Sequence, residues 1–173
     1  MATITTGVYV LHVNSDIVDS VFRDKVVPIS DVLGSMLDEL ACKSLGVPPQ
    51  SLDWCKYPNV NVVLKSIFDT RKSALTVVSG DKKELRLVVD FTKEDVEGIK
   101  ARNKEQNFLL NALMDPDIPC VIVEGKAGSG KTLCALAAAF ALLRNRGTTY
   151  KKIILTRPMD PVGLSLGALP GDK

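Results

Sequence analysis

Residues 125–132 read Gly-Lys-Ala-Gly-Ser-Gly-Lys-Thr. A glycine, four residues and then Gly-Lys-Thr is the spacing of a phosphate-binding loop, or P-loop. The residue types explain why. Gly125, Gly128 and Gly130 carry no Cβ, so the chain can curl through positive φ and turn its amides inward. The amides of Lys126, Ala127 and Ser129 complete the curl. At the head of a helix such amides form a site for phosphate oxygens. Lys131 is the catalytic candidate, a point charge that reaches the β- and γ-phosphates of a bound nucleotide. The hydroxyl of Thr132 is the candidate ligand for Mg²⁺.

A loop of this kind needs a strand to deliver it and a helix to receive it. Residues 120–123, Cys-Val-Ile-Val, have the apolar run of a buried strand. Residues 133–143 are alanine- and leucine-rich and predict a helix. Residues 152–156, Lys-Ile-Ile-Leu-Thr, predict a second buried strand, and strand, helix, strand implies a right-handed crossover between parallel neighbours. Upstream, residues 102–114 predict a helix burying Phe108, Leu109, Ala112 and Leu113. Asp-Pro-Asp-Ile-Pro at 115–119 then breaks it. Arg144, Arg146 and Gly147 end the alanine-rich helix with positive charge and a glycine stop.

The first half reads differently. Residues 6–13 predict a strand, apolar on both faces apart from His12, which reads as a structural histidine. Residues 15–23 predict a short helix capped by Asn14 or Ser15, with Ile17, Val18, Val21 and Phe22 on its apolar face. Residues 25–29 predict a short strand. One helix is predicted from Val32 to Leu45, with Leu33, Met36, Leu37 and Leu40 at helical spacing and Gly46 as its stop. The proline-rich stretch 46–58 reads as a loop pinned to the core through Trp54 and Tyr57. From residue 59 onward three strands follow, with a Gly80-Asp81 turn before the last, and the first strand is expected to complete their sheet. Asp90 reads as an ordinary strand end. Thr92 to Asp95 read as a capped, charged linker. The expected class is therefore α/β. An incomplete P-loop NTPase parallel sheet with flanking helices occupies residues 99–173, preceded by a small β-rich α+β module and linker over 1–98.

Composition narrows the function classes. The charge is nearly balanced, 22 basic against 20 acidic residues in 173, so it favours neither nucleic acid nor an acidic partner. Cys42, Cys55, Cys120 and Cys134 form no C-x-x-C pair, and His12 is the single histidine, which argues against a zinc site. The cysteines around the loop read as small buried thiols in a reducing, cytoplasmic setting. No basic start with an apolar core marks a signal peptide, and no apolar run of about 18 residues marks a membrane span. A P-loop NTPase also needs an acidic residue at the end of another strand. No apolar run after Thr132 ends in one. Two parallel strands cannot bury both faces of their sheet. The chain is accordingly expected to be cut off, with a free sheet edge that favours a homo-oligomer.

Residues 102–173 resemble the PhoH family of P-loop ATPases. The matching words are R-N-K-E-Q at 102–106, D-P-D-I-P at 115–119, the P-loop, I-I-L-T-R-P at 153–158 and L-P-G-D at 169–172. Y-V-L-H-V-N-S-D-I-V-D-S and Y-P-N-V-N-V-V-L-K-S are similar, more weakly, to the β-rich middle segment of longer members that also carry a PIN nuclease domain. The resemblance implies ATP and Mg²⁺ as cofactors and an ATPase that acts with RNA. It also places Gln106 where a glutamine reads adenine in helicase-like ATPases, and Arg157 on the ligand edge of the sheet. It assigns no specific role to Gly171 or Asp172. The PIN acidic cluster is absent from this sequence, so no nuclease activity is expected. Nucleotide binding is expected of the chain, and hydrolysis of the complete protein.

Two other readings use the same residues. A circularly permuted GTPase would read Thr92 to Asp95 as T-K-x-D and Asp160 to Gly163 as D-x-x-G. A non-enzymatic nucleotide-binding or assembly piece needs no acidic motif. Lys151, Lys152, Arg144, Arg146 and Arg157 are the candidate RNA contacts.

Overall fold

The structure, a computed structural model, describes residues 8–145, 147 and 149–156. Eleven short elements follow one another: β1 (Val8–Val13), α1 (Ser15–Asp24), β2 (Val26–Pro28), α2 (Ile29–Ser35), α3 (Glu39–Leu45), a 3-10 turn (Asp53–Cys55), β3 (Asn61–Ser66), β4 (Ser73–Val78), β5 (Glu84–Leu87), α4 (Lys104–Met114) and α5 (Lys131–Arg144). The class is α/β, a mixed five-stranded sheet flanked by helices.

The strand order is β1-β3-β4-β5-β2. β1 runs parallel to β3, and the remaining pairs are antiparallel. Alternation decides which face is covered. In β1, Leu11 and Val13 are buried while Val10 is exposed, so one face is covered rather than two. Val18 and Val21 of α1, Val62 and Leu64 of β3, Val78 of β4 and Leu85 of β5 meet them in one apolar cluster. Trp54 completes that cluster with no exposed surface, whereas Tyr57 lies in solvent. The loop is therefore pinned to the core by Trp54 and not by Tyr57.

Both sheet edges are guarded. The Gln50 amide accepts from His12 N at 2.9 Å and donates to His12 O at 3.3 Å, filling the backbone positions where another strand would pair with β1. At the other edge β2 is three residues long and ends in proline.

The single helix expected over 32–45 is two. Asp38 turns out of the helix and accepts from Ala41 N at 2.7 Å, capping α3 as a separate element. Leu33 and Leu40, two of the residues at helical spacing, are exposed. Gly46 stops α3 in the left-handed conformation as expected. The strands expected at 120–123 and 152–156 are absent from the described residues, and so is their parallel pairing. The reason is physical. A strand exists as a member of a hydrogen-bonded ladder, and neither segment has a ladder partner among the described residues. Ile122, Ile154 and Leu155 are exposed accordingly.

A second apolar cluster joins Phe91, Val96, Ala101, Leu110 of α4, and Cys134 and Ala137 of α5. Helix α4 buries Phe108 as expected, with Leu109 and Leu113 packed against the second cluster, and buries Asn107 and Leu110 as well, which lie outside the expected stripe. Asn107 is fully buried. Its Oδ1 accepts from Phe91 N at 2.7 Å and its Nδ2 donates to Val89 O at 3.1 Å. One turn on, Asn111 accepts from Val89 N and donates to Val89 O, both at 2.9 Å. Two asparagine amides thus do for residues 89–91 what a neighbouring strand would do. Of the two cysteines near the loop, Cys134 is buried as expected but Cys120 is exposed.

Replacing Asn107 by alanine empties a fully buried position and removes its bonds to Phe91 N and Val89 O, of which Val89 O keeps Asn111 Nδ2. We expect a loss of about 2 kcal/mol. Urea unfolding should show its midpoint lowered by roughly 1 M at unchanged slope. An unmoved midpoint would mean that water takes the place of the lost side-chain amide. Burial pushes the Cys134 thiol upward and leaves it short of thiolate. Iodoacetamide at pH 8 should therefore alkylate Cys120 well before Cys134 in the native chain. Equal rates by peptide mass spectrometry would mean that α5 does not pack on α4.

Candidate phosphate site

The loop takes the shape its glycines permit. Gly125 has φ +156°, Gly128 +77° and Gly130 +84°. These are conformations in which a Cβ is strained. Gly130 is the N-cap of α5, so the loop opens directly onto the head of a 14-residue helix. Ser129 N donates to Lys126 O at 3.3 Å, closing a turn inside the loop. All of Gly125, Lys126, Ala127, Gly128 and Ser129 are exposed, and so is Thr132 on the first turn of α5. The structure thus brings together every loop residue singled out from the sequence, with its backbone and hydroxyls open to solvent.

Lys131 is half-buried and folds back over the loop. Its Nζ donates to Gly125 O and Lys126 O, each at 2.7 Å, and to Ser129 Oγ at 3.2 Å. Three oxygens from one short arc surround one ammonium. The charge therefore sits inside the curl, where phosphate oxygens would meet it. The donor set fits a polyphosphate: backbone amides at a helix head, one lysine, and a hydroxyl for a divalent cation.

Gln106 lies at the other side of the loop. Asn103 caps α4 by accepting from Gln106 N at 2.9 Å. The Gln106 side chain then turns back, its Oε1 accepting from Arg102 N at 2.8 Å. This is close to a capping box, with the glutamine reaching one residue further back than usual. Its Nε2 donates to Ser129 O at 3.0 Å, which ties α4 to the P-loop.

The remaining candidates lie apart from the loop or outside the described residues. Asp90 accepts from Thr92 N at 3.2 Å and pairs with Lys93 at 2.9 Å. The hydrogen bond from Thr92 and then the one from Lys93 hold its carboxyl below the usual range. Asp95 accepts from Gly98 N at 2.7 Å, so the T-K-x-D residues act as turn caps. Arg144 pairs with Glu97 at 2.6 Å. Lys151 and Lys152 are exposed. Arg146, Arg157, Asp160, Gly163, Gly171 and Asp172 fall outside the described residues. Among the described residues no group of three or more His, Cys, Asp or Glu side chains could hold a metal ion, and no helix is long and apolar enough to cross a membrane. A cleft of about 800 Å³, lined among others by Phe108, Ala112, Val121, Val123 and Leu87, runs beside residues 120–124, and no loop residue from 125 to 132 lines it.

Sequence reasoning missed Asn103, Asn107 and Asn111. The spacing N-x-x-Q at 103–106 was the available signal for the cap. Two asparagines four apart on one helix face was the signal for the buried amides.

Residues 98–173 match the family model described as PhoH-like protein. The chain is 39% identical over 117 residues to Protein PhoH2 of Bacillus subtilis, a match covering 68% of this chain and 26% of that protein. It is 43% identical over 109 residues to Protein PhoH2 of Thermobispora bispora, covering 62% and 24%. To the PhoH-like protein of Bacillus subtilis it is 36% identical over 97 residues, covering 53% and 29%. The chain spans about a quarter of the length of the curated relatives it matches. The first match is longer than the span 98–173, so it takes in part of the N-terminal sheet region as well. No solved structure matches. The P-loop formed at the head of α5 lies inside the matched stretch, so that it is the segment from 98 to 173 that is similar to the PhoH-like family.

Proposed function

We propose that the chain binds ATP through residues 125–132, with Lys131 on the terminal phosphates and Thr132 directed to Mg²⁺. The observation that carries this is the loop itself. Three glycines at positive φ turn the backbone around the Lys131 ammonium at the head of α5. Lys131 Nζ now rests on carbonyl and hydroxyl oxygens, which a phosphate oxygen can replace at lower energy because it is charged. The loop amides and the helix dipole add to that attraction. Bound Mg²⁺ would neutralise phosphate charge, and the exposed Thr132 hydroxyl is the group of this chain that can reach it.

The wider reading rests on the family. The chain acts as the N-terminal portion of a PhoH-like ATPase unit from about residue 99, preceded by the sheet module of residues 1–98. In the complete protein, ATP hydrolysis is coupled to RNA remodelling or unwinding, in the cytoplasm and in a homo-oligomer. Of the RNA contacts named from the sequence, Lys151 and Lys152 are exposed just past the receiving helix, whereas Arg144 is paired with Glu97.

Calorimetric titration with ATP and with GTP in Mg²⁺ tests the core of the proposal. Wild-type chain should bind ATP, and Lys131→Ala should bind it at least tenfold more weakly, the loss of one charge-assisted contact. Unchanged affinity in the variant would sink the loop assignment. A preference for GTP would shift the reading to the permuted GTPase.

A further inference from the structure

Gln106 is held at both ends, and what it holds is a peptide of the phosphate loop. Its Oε1 is fixed by the Arg102 amide at 2.8 Å, and its Nε2 reaches the Ser129 carbonyl at 3.0 Å across 23 residues of sequence. The approach is close. A Cβ built on Gly130 would lie 2.9 Å from that same Nε2. Glycine at 130 suits its φ of +84°, and a Cβ there would also push the Gln106 amide from its place. The platform behind the glutamine is anchored by hydrogen bonds. Asn103 caps α4 on the Gln106 amide, and the buried Asn107 anchors the next position to residues 89 and 91.

A trans peptide holds its C=O and N–H in one plane, pointing in opposite directions. Fixing the Ser129 carbonyl toward α4 therefore fixes the direction of the Gly130 amide away from it. That amide is one of those available to a phosphate at the head of α5. We infer that Gln106 is a positioning residue for the P-loop, which sets the Ser129–Gly130 peptide and so governs phosphate affinity whether or not a base is bound. The inference deepens the proposed ATP site and rests on it. It gives Gln106 a role separate from contact with adenine.

The two roles separate with a ligand that has no base. Inorganic tripolyphosphate and ATP, each with Mg²⁺, are titrated into the full 173-residue chain and into Gln106→Met and Gln106→Ala. Both variants are neutral, so neither adds charge to the site. Hydrogen exchange of residues 126–131 is followed in parallel without ligand, with α1 as internal reference and the thermal midpoint as a check on folding. The expected result is a loss of roughly fivefold to tenfold for both ligands alike, with faster exchange in the loop and none in α1. Weaker ATP binding with tripolyphosphate unchanged overturns the inference and makes Gln106 a base contact. No change for either ligand overturns it too. If the wild type binds neither ligand, the ATP reading fails, and the exchange data alone then decide whether Gln106 holds the loop.

Discussion

A loop curled around phosphate has no ladder of its own, so its shape depends on what grips it from outside. Here the grip is the hydrogen bond from Gln106 Nε2 to Ser129 O. It ties the loop to a helix whose own position is set elsewhere, by Asn107 and Asn111 on the backbone of residues 89–91. Polar contacts alone would leave this arrangement soft, because each is worth only about 1 kcal/mol net in competition with water. The apolar cluster around Phe91, Leu110, Cys134 and Ala137 supplies the rest. It excludes water from the α4–α5 contact, which makes the buried Asn107 amides costly to separate from their partners.

The route from sheet to loop is therefore continuous. β4 and β5 hand the chain to residues 88–91, with Val88 N still bonded to Leu75 O at 3.1 Å. The asparagines of α4 take over the backbone at Val89 and Phe91. One residue before Asn107, on the adjacent face of α4, Gln106 reaches the loop. A disturbance at residues 89–91 has a short physical path to Ser129, made of one helix and three amide side chains.

What was legible in the sequence follows the kind of signal involved. The P-loop could be read because its function restricts backbone conformation, and glycine adopts φ values such as those of Gly128 and Gly130 without the strain that a Cβ adds. The strands β1, β3, β4 and β5 could be read because each is a short run rich in β-branched and apolar residues, with turn residues between them. The strands expected at 120–123 and 152–156 could not be decided in the same way. An apolar run records a preference for burial, but a strand also needs a partner with free amides and carbonyls, and sequence-local patterns carry no such information. The break between α2 and α3 was hidden for a different reason. Leu33, Met36, Leu37 and Leu40 keep helical spacing, yet one capping bond from Asp38 decides the turn.

The same distinction explains why the supporting asparagines escaped notice while the loop did not. A polar residue in a helix is most often solvated, and periodicity counts it as part of the wet face. Asn107 is instead fully buried, and burial is acceptable because both ends of its amide find a backbone partner, Phe91 N and Val89 O. No local pattern distinguishes such an asparagine from an exposed one. The distinction depends on residues 89–91, which approach α4 only after the chain has turned through 92–101. Gln106 was noticed for its place in a family motif, and its geometry adds a reason of another kind. A glutamine has the length to bridge a helix cap and a loop carbonyl with its two ends at once, which asparagine lacks and glutamate, without a donor when ionised, cannot replace.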